Sequence, residues 1–445
     1  MSSSLVTLIL GGLSLLVYYA ANALFLKPRS KRERLRKQGI DGPLPHIFFG
    51  NIPEIKSLRI QEVQSRSLNE VASAISHRWP FTIFPHLQKW RKQYGPICLY
   101  YGGNIPFLMV QDTEMVKEVS SYTSLNLGKP SYLSNDLGPL FGQGIVSSSG
   151  PLWAHQRKII APQLYLDKVK GMIDLMVEST NIMLKNWEAR IESKGGVVAE
   201  MKIDEDLRSL SADIIARACF GSNYEKGQQI FTKLRIIQKL LSKSPVGLPG
   251  QRYLPTRSNR EIWRLEKEIN SMITKLVNQR LREGDEQDLM QMIGCLKILL
   301  PYLQITMVIQ ETLRLYPPAT FVVRSVLQDI KLKGILIPKG INIQIPVPLL
   351  QQDPELWGAD AHMFNPQRFA NGISEACKTP QAYLPFGIGA RICAGQHLAM
   401  IELKVILSLI LLRFRFSLSP CYRHSPAFRL VIEPEEGVVL RVSRI

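Results

Sequence analysis

The sequence predicts a mainly α-helical chain with small β-sheets, carried on one N-terminal transmembrane helix. Three observations predict it. A run of 22 residues without a charge, LVTLILGGLSLLVYYAANALFL, lies near the start. Near the end, Leu398, Ile401, Val405, Leu409 and Leu412 recur at helical spacing, on a helix apolar almost all round, as a fully buried helix is. The closing stretch RLVIEPEEGVVLRV reads as a last pair of strands. The 445 residues are 45% hydrophobic, ample for a large core, and no internal repeat or low-complexity segment divides them.

The uncharged run, Leu5 to Leu26, meets the requirement of about 20 apolar residues for a bilayer span. A cleaved signal peptide is the rival reading, but the apolar run is too long for one and no basic stretch precedes it. Seven cations (Lys27, Arg29, Lys31, Arg32, Arg34, Arg36 and Lys37) follow, against the single acid Glu33. By the positive-inside rule they keep everything beyond Lys27 cytosolic. Residues 1–26 are therefore expected to be a retained anchor. Residues 27–50 are expected to be a basic, Pro/Gly-rich linker, with Pro43 and Pro45 stiffening it, that sets a globular body, 51–445, against the membrane.

The net charge of +18 raises the question of nucleic acid. Part of it sits in this one run, and no recurring pattern of basic and aromatic residues marks a nucleic-acid groove, so no nucleic acid is expected. An acidic protein partner or anionic lipid suits the charge better. Six scattered cysteines without a CxxC pair argue against a disulfide scaffold or zinc module and fit a reducing compartment. His155 and His397 lack partners at ligand spacing and are read as non-ligands.

The most specific stretch is LPFGIGARICAGQHLAM, Leu384 to Met400. Gly387 and Gly389 without a third glycine make no dinucleotide loop. The whole pattern of Phe386, Gly389, Arg391, Cys393 and Gly395 is different: its chance occurrence in a chain this long is on the order of one in ten thousand. Cys393 is placed to open the apolar helix that follows. A thiolate metal ligand must lose its proton, and helix N-terminal amides and a bound metal both favour that. Flanking glycines let the backbone approach a flat macrocycle. Arg391 offers a fixed fork for a carboxylate.

On these residues the chain resembles the cytochrome P450 superfamily, whose cysteine-loop signature PFGIGARICAG matches at every fixed position. The resemblance runs over nearly the whole chain. It implies a haem-thiolate monooxygenase that inserts one atom of dioxygen into an apolar small molecule. Haem b would be the cofactor, with Cys393 as the iron ligand. Electrons would come from NADPH through a reductase docked on a basic face. By the same resemblance Trp153 and Arg157 of WAHQRK, and Arg324 of PPATFVVR, would hold the haem propionates, and Thr320 to Val323 would line the substrate pocket. Glu311 and Arg314 of ETLR, taken alone, would pass for a surface pair. The resemblance joins them to Arg368 of FNPQRF in a structural network behind the haem. It also implies an endoplasmic reticulum membrane protein with a cytosolic catalytic domain. The C-terminal third looks like the plant clan that includes gibberellin-oxidising enzymes, which suggests a diterpenoid substrate.

One expected feature is missing. Members of the family carry a long central helix with a motif of the form (Ala/Gly)-Gly-x-(Asp/Glu)-Thr, whose acid and alcohol deliver protons. No such motif occurs here, so no catalytic residue is assigned. Only GCLKILLPYLQI, residues 294–305, joins what look like the approach to that helix and the start of the next. Twelve residues span about 18 Å as a helix, too little for a core-crossing helix and its successors. The expected fold is thus that of the family lacking part of its central helices, with an internal deletion near 293–306 from splicing or a faulty gene model. Exposed apolar surface or a void should result. Two rivals to a working monooxygenase stay open: a catalytically inactive product that binds haem poorly or not at all, and a basic membrane-anchored binding protein without haem.

Overall fold

In the β-branched and aromatic runs ICLYYG, IPFLMV, FVVRSV and NIQIP, neighbouring side chains are buried on both faces of the strand, so these runs form the interior of a sheet. In the computed structural model they are β1 (Ile97–Gly102), β2 (Ile105–Val110), β5 (Phe321–Val326) and β8 (Asn342–Pro346). With the two-residue β3 (Leu127–Gly128) they make a five-stranded sheet in the order β1-β2-β8-β5-β3, in which β2 and β8 run parallel and the other pairs antiparallel. Gly103, at φ +62°, begins the two-residue turn between β1 and β2. One face of the sheet packs on an aliphatic core that includes Leu108, Val110, Ile343 and Ile345. The other face packs on an aromatic core with Trp79, Trp90, Tyr100 and Phe107.

The structure describes residues 26–67, 75–220, 224–248, 250–283 and 302–445, with positions 10–15, 18 and 22. Most of the expected anchor, and the expected deletion point up to residue 301, lie outside the described residues. Among the described residues no helix is long and apolar enough to cross a membrane. The longer described helices are α1 (Lys27–Arg36), α2 (Ile52–Ser67), α3 (Pro85–Tyr94), α4 (Thr113–Ser121), α5 (Gly150–Ile160), α6 (Ile173–Ser193), α7 (Asp204–Phe220), α8 (Tyr224–Leu241), α9 (Arg257–Glu283), α10 (Tyr302–Leu315) and α11 (Gln396–Leu411). Helices α6, α7 and α11 enclose a third core with Trp187, Ile214, Val405 and Phe414. Helices α8 and α9 share a fourth, with Ile237 and Leu265.

Three expectations are corrected. The basic run is not a linker. Pro28 at the helix start, no β-branched residue and an Arg29–Glu33 pair at 3.2 Å make it helix α1. Leu35 and Ile40 then bury into the aliphatic core, and Arg34 pairs with Asp329 at 2.7 Å, so this stretch is part of the body. The closing strands are not paired with each other. β11 (Ile432–Pro434) pairs with β10 (Pro426–Phe428), whereas β12 (Val439–Arg444) pairs with β4 (Ala199–Lys202) and β9 (Phe414–Leu418). Strand pattern sets which residues face inward but not which edge they join. Finally, α11 is not buried all round: Leu403 and Leu411 stand open beside the buried Leu398, Val405 and Ile410.

Candidate functional site

The cysteine loop is held at both ends. Leu384 N–H donates to Gln351 Oε1 at 2.8 Å, and Cys393 N–H donates to Phe386 O at 2.8 Å, which closes the loop on itself. Gly389 is required here. Its φ is +65°, and a Cβ would lie 2.5 Å from the carbonyl oxygen of Ser120. Cys393 stands two residues before the helix cap Gly395, just ahead of the first turn of α11. Its side chain is exposed, and a Cβ on Gly395 would lie 4.0 Å from the sulfur. The thiol thus sits on open backbone.

Cations gather beside it. Helix α5 carries both Trp153 and Arg157, and Arg157 Nη1 donates to Ile392 O at 2.6 Å, tying the helix to the loop. The Arg391 guanidinium lies over the Trp153 ring, 4.1 Å from its centre, and Nη1 donates to Ser148 O at 3.0 Å. Its Nη2 is buried without a hydrogen-bond partner. Among the described residues Arg324, on β5, donates only to the carbonyls of Val323 at 3.0 Å and Ile388 at 3.1 Å. Burial pulls the Arg391 guanidinium down to about 10; burial and the nearby Arg391 do the same to Arg324. No carboxylate forms an ion pair with Arg157, Arg324 or Arg391 among the described residues. A cleft lined by Tyr122, Leu127, Trp153, Arg324, Ile388 and Arg391 opens at this point. Arg324 is buried and Arg391 partly so, and a buried cation without an anion is costly, so the arrangement suits an anionic ligand. Glycine backbone, an open thiol and guanidinium groups with unused donors suit a flat dianion that carries a thiolate-binding metal.

A buried polar network is coupled to the loop through Gln351. Glu311 and Arg314 are fully buried on α10 and meet through two hydrogen bonds of 2.7 and 2.8 Å. Arg368 Nε lies 3.7 Å from Glu311 Oε1, and Arg368 also pairs with Asp360 at 2.7 Å. Arg314 spends its remaining donors on the carbonyls of Gln351, Ala361 and Met363. The surface-pair reading of ETLR is thereby excluded. Sequence reasoning missed Gln351. Fully buried, it donates to the carbonyls of Leu313 and Arg314 and accepts from Leu384 N–H, coupling α10 to the cysteine loop. The signal available was a pair of amides, Gln351 and Gln352, directly after an apolar run.

A family model described as Cytochrome P450 matches residues 78–298 and, as a second piece, 297–440. The chain is 43% identical to Cytochrome P450 714C2 of Oryza sativa subsp. japonica, over 96% of this chain and 95% of that one. It is 38% identical to Cytochrome P450 714B3 of Zea mays (97% and 94%) and 38% identical to Cytochrome P450 714A2 of Arabidopsis thaliana (92% and 93%). These alignments run over 500, 502 and 490 residues, wider than the 445 residues of the chain, so each relative carries residues with no counterpart here.

Proposed function

The chain belongs to the cytochrome P450 family, by homology a monooxygenase, and from that premise we propose that it binds haem through Cys393 and oxygenates an apolar small molecule. The observation that carries this reading is the gathering of unpaired guanidinium groups, one with a buried orphan Nη2, beside an open thiol. Haem fits it: two propionates would meet Arg324 and Arg391, with Trp153 and Arg157 fixing the wall they share. Once bound, haem supplies the dioxygen chemistry, tuned by its thiolate ligand. The chain's own part is to orient the macrocycle, keep its carboxylates from water and present an apolar pocket. By the resemblance Thr320 to Val323 would line the pocket, and the apolar Phe321, Val322 and Val323 among them support a hydrocarbon-rich substrate. A gibberellin-like diterpenoid is the class we assign from the resemblance. The net charge of +18 suits an acidic NADPH-dependent reductase. Anchoring by Leu5 to Leu26 in the endoplasmic reticulum, with the body cytosolic, completes the proposal.

The test is the absorption spectrum of the reduced, carbon-monoxide-bound chain in membranes. A red-shifted Soret band that Cys393→Ala removes is expected. A spectrum without haem, beside a positive relative, would overturn the reading.

The two-piece match and the wide alignments favour a second reading, in which this chain lacks an internal segment and does not turn over. Large apolar side chains on several helices support it: Ile182 on α6, Ile273 and Val277 on α9, Val308 on α10 and Leu403 on α11 are each more than a third exposed. Haem uptake without oxygenation of any plant terpenoid would favour this reading over the first.

A further inference from the structure

The last turn of α10 leaves two carbonyls that its own backbone cannot satisfy. In a continuing helix Leu313 O and Arg314 O would accept from the N–H groups of residues 317 and 318. Both positions, Pro317 and Pro318, are prolines and have no N–H. One side chain takes both carbonyls: Gln351 Nε2 donates to Leu313 O at 3.0 Å and to Arg314 O at 2.8 Å. This fixes which way the amide faces, since the reverse orientation would set its oxygen against two carbonyl oxygens. Oε1 therefore points away from α10, and there it accepts from Leu384 N–H at 2.8 Å. The Gln351 carbonyl also accepts from Arg314 Nη1 at 2.7 Å, so the residue is tied to the buried pair twice. From Leu384 the path to the thiol is short. Leu384 O accepts from Gly387 N–H at 2.9 Å, which closes a turn, and the carbonyl of Phe386, inside that turn, accepts from Cys393 N–H at 2.8 Å.

We propose that Gln351 is a positioning residue for the iron ligand, its amide carrying the place of the buried Glu311–Arg314 pair to Leu384 and so to Cys393. The inference rests on the haem reading above. Gln351 acts through Leu384 and Phe386 and takes no part in the chemistry at iron. Groups that orient a metal ligand in this way are worth about 10–100-fold in metal affinity or activity. Gln352 supplies the comparison. It is also buried, and its Nε2 donates to Leu315 O, in the same turn of α10, at 3.2 Å. Its Oε1 has no partner, however, so among the described residues its side chain has no bond to the cysteine loop.

The test compares Gln351→Met, Gln352→Met and Gln351→His with the wild type by two measurements. The first is hydrogen exchange over residues 384–393. Gln351→Met should quicken it roughly tenfold or more, as for the loss of a buried hydrogen bond, while the five-stranded sheet stays protected. Gln352→Met should leave it unchanged. The second is the spectrum of the reduced, carbon-monoxide-bound chain. Gln351→Met should move part of the red-shifted Soret band to the position of haem without a thiolate ligand, and Gln352→Met should not. Gln351→His can donate to α10 from one ring nitrogen and accept from Leu384 N–H at the other, so it should recover most of both losses. Equal effects of the two Met variants, or none from Gln351→Met, would overturn the inference while leaving the haem reading intact. A wild-type chain that takes up no haem overturns the haem reading itself, and this inference with it.

Discussion

Glu311 and Arg314 show how far one spacing can be read. Their i, i+3 separation predicts contact on a helix, and contact is found, but nothing local says that both are fully buried. That depends on carbonyls brought in by residues 351, 361 and 363, roughly 40 to 50 positions away. Once such a pair is buried, removing one partner leaves a charge that water cannot reach. Glu311→Gln should therefore destabilise the chain by about 3–5 kcal/mol, measured by denaturant unfolding. Arg368→Ala should cost much less, because Arg368 stands 3.7 Å from Glu311, which keeps both bonds to Arg314, and the Asp360 it would leave unpaired is open to water. Equal losses from the two variants would mean that the charge is shared evenly over the triad. The cysteine loop was legible for a different reason. Gly389, Arg391 and Cys393 lie within five residues, and the positive φ of Gly389 is a local demand. Gln351 was not legible, since its partners Leu313, Arg314 and Leu384 lie at distant positions fixed only by tertiary packing.

At the scale of elements, helices with a clear apolar stripe and strands rich in aromatic and β-branched residues could be read directly. What sequence pattern could not supply was partnership. RLVIEPEEGVVLRV has the composition of strands, yet its halves join different sheets, because β12 finds two open edges in β4 and β9. The run KPRSKRERLR hides a helix behind its charges, since a single leucine, Leu35, carries its burial. That leucine supports a specific prediction. Leu35→Ala deletes a fully buried side chain and should cost about 2–5 kcal/mol of docking. Hydrogen exchange should then quicken over residues 27–40 while the five-stranded sheet stays protected. Unchanged exchange there would mean that the Arg34–Asp329 pair and the Arg32 bonds to Pro43 and Gly42 hold α1 without the leucine.

Over the whole molecule, the aromatic core joins parts of the chain that are far apart in sequence: Trp79 to Met109, Val323 to Leu349, and Phe428 with Ile432. Histidines sit in and around this junction. His86 is buried against Phe84 and Trp90, and burial pulls it down to about 3. Tyr316 Oη lies between His77 Nδ1 at 2.6 Å and His424 Nε2 at 2.9 Å, linking segments more than 100 residues apart. Burial lowers both histidines; Arg314 adds to the effect on His77, Glu311 opposes it, and His77 adds to the effect on His424. The unfolded chain takes up a proton at such groups near pH 6.5, whereas the folded chain does so only at lower pH. Their contribution to stability is therefore complete above about pH 6.5 and is lost as the pH falls, for His86 down to about pH 3. Carboxylates that are paired in the folded state weaken the fold over part of the same range, so the slope must be separated by substitution. His86→Phe keeps the ring packing, removes a buried Nδ1 that has no partner, and should flatten the fall in unfolding free energy between pH 6 and pH 4 by close to one proton. An unaltered slope would mean that His86 already titrates normally in the folded chain, and that the aromatic junction admits water.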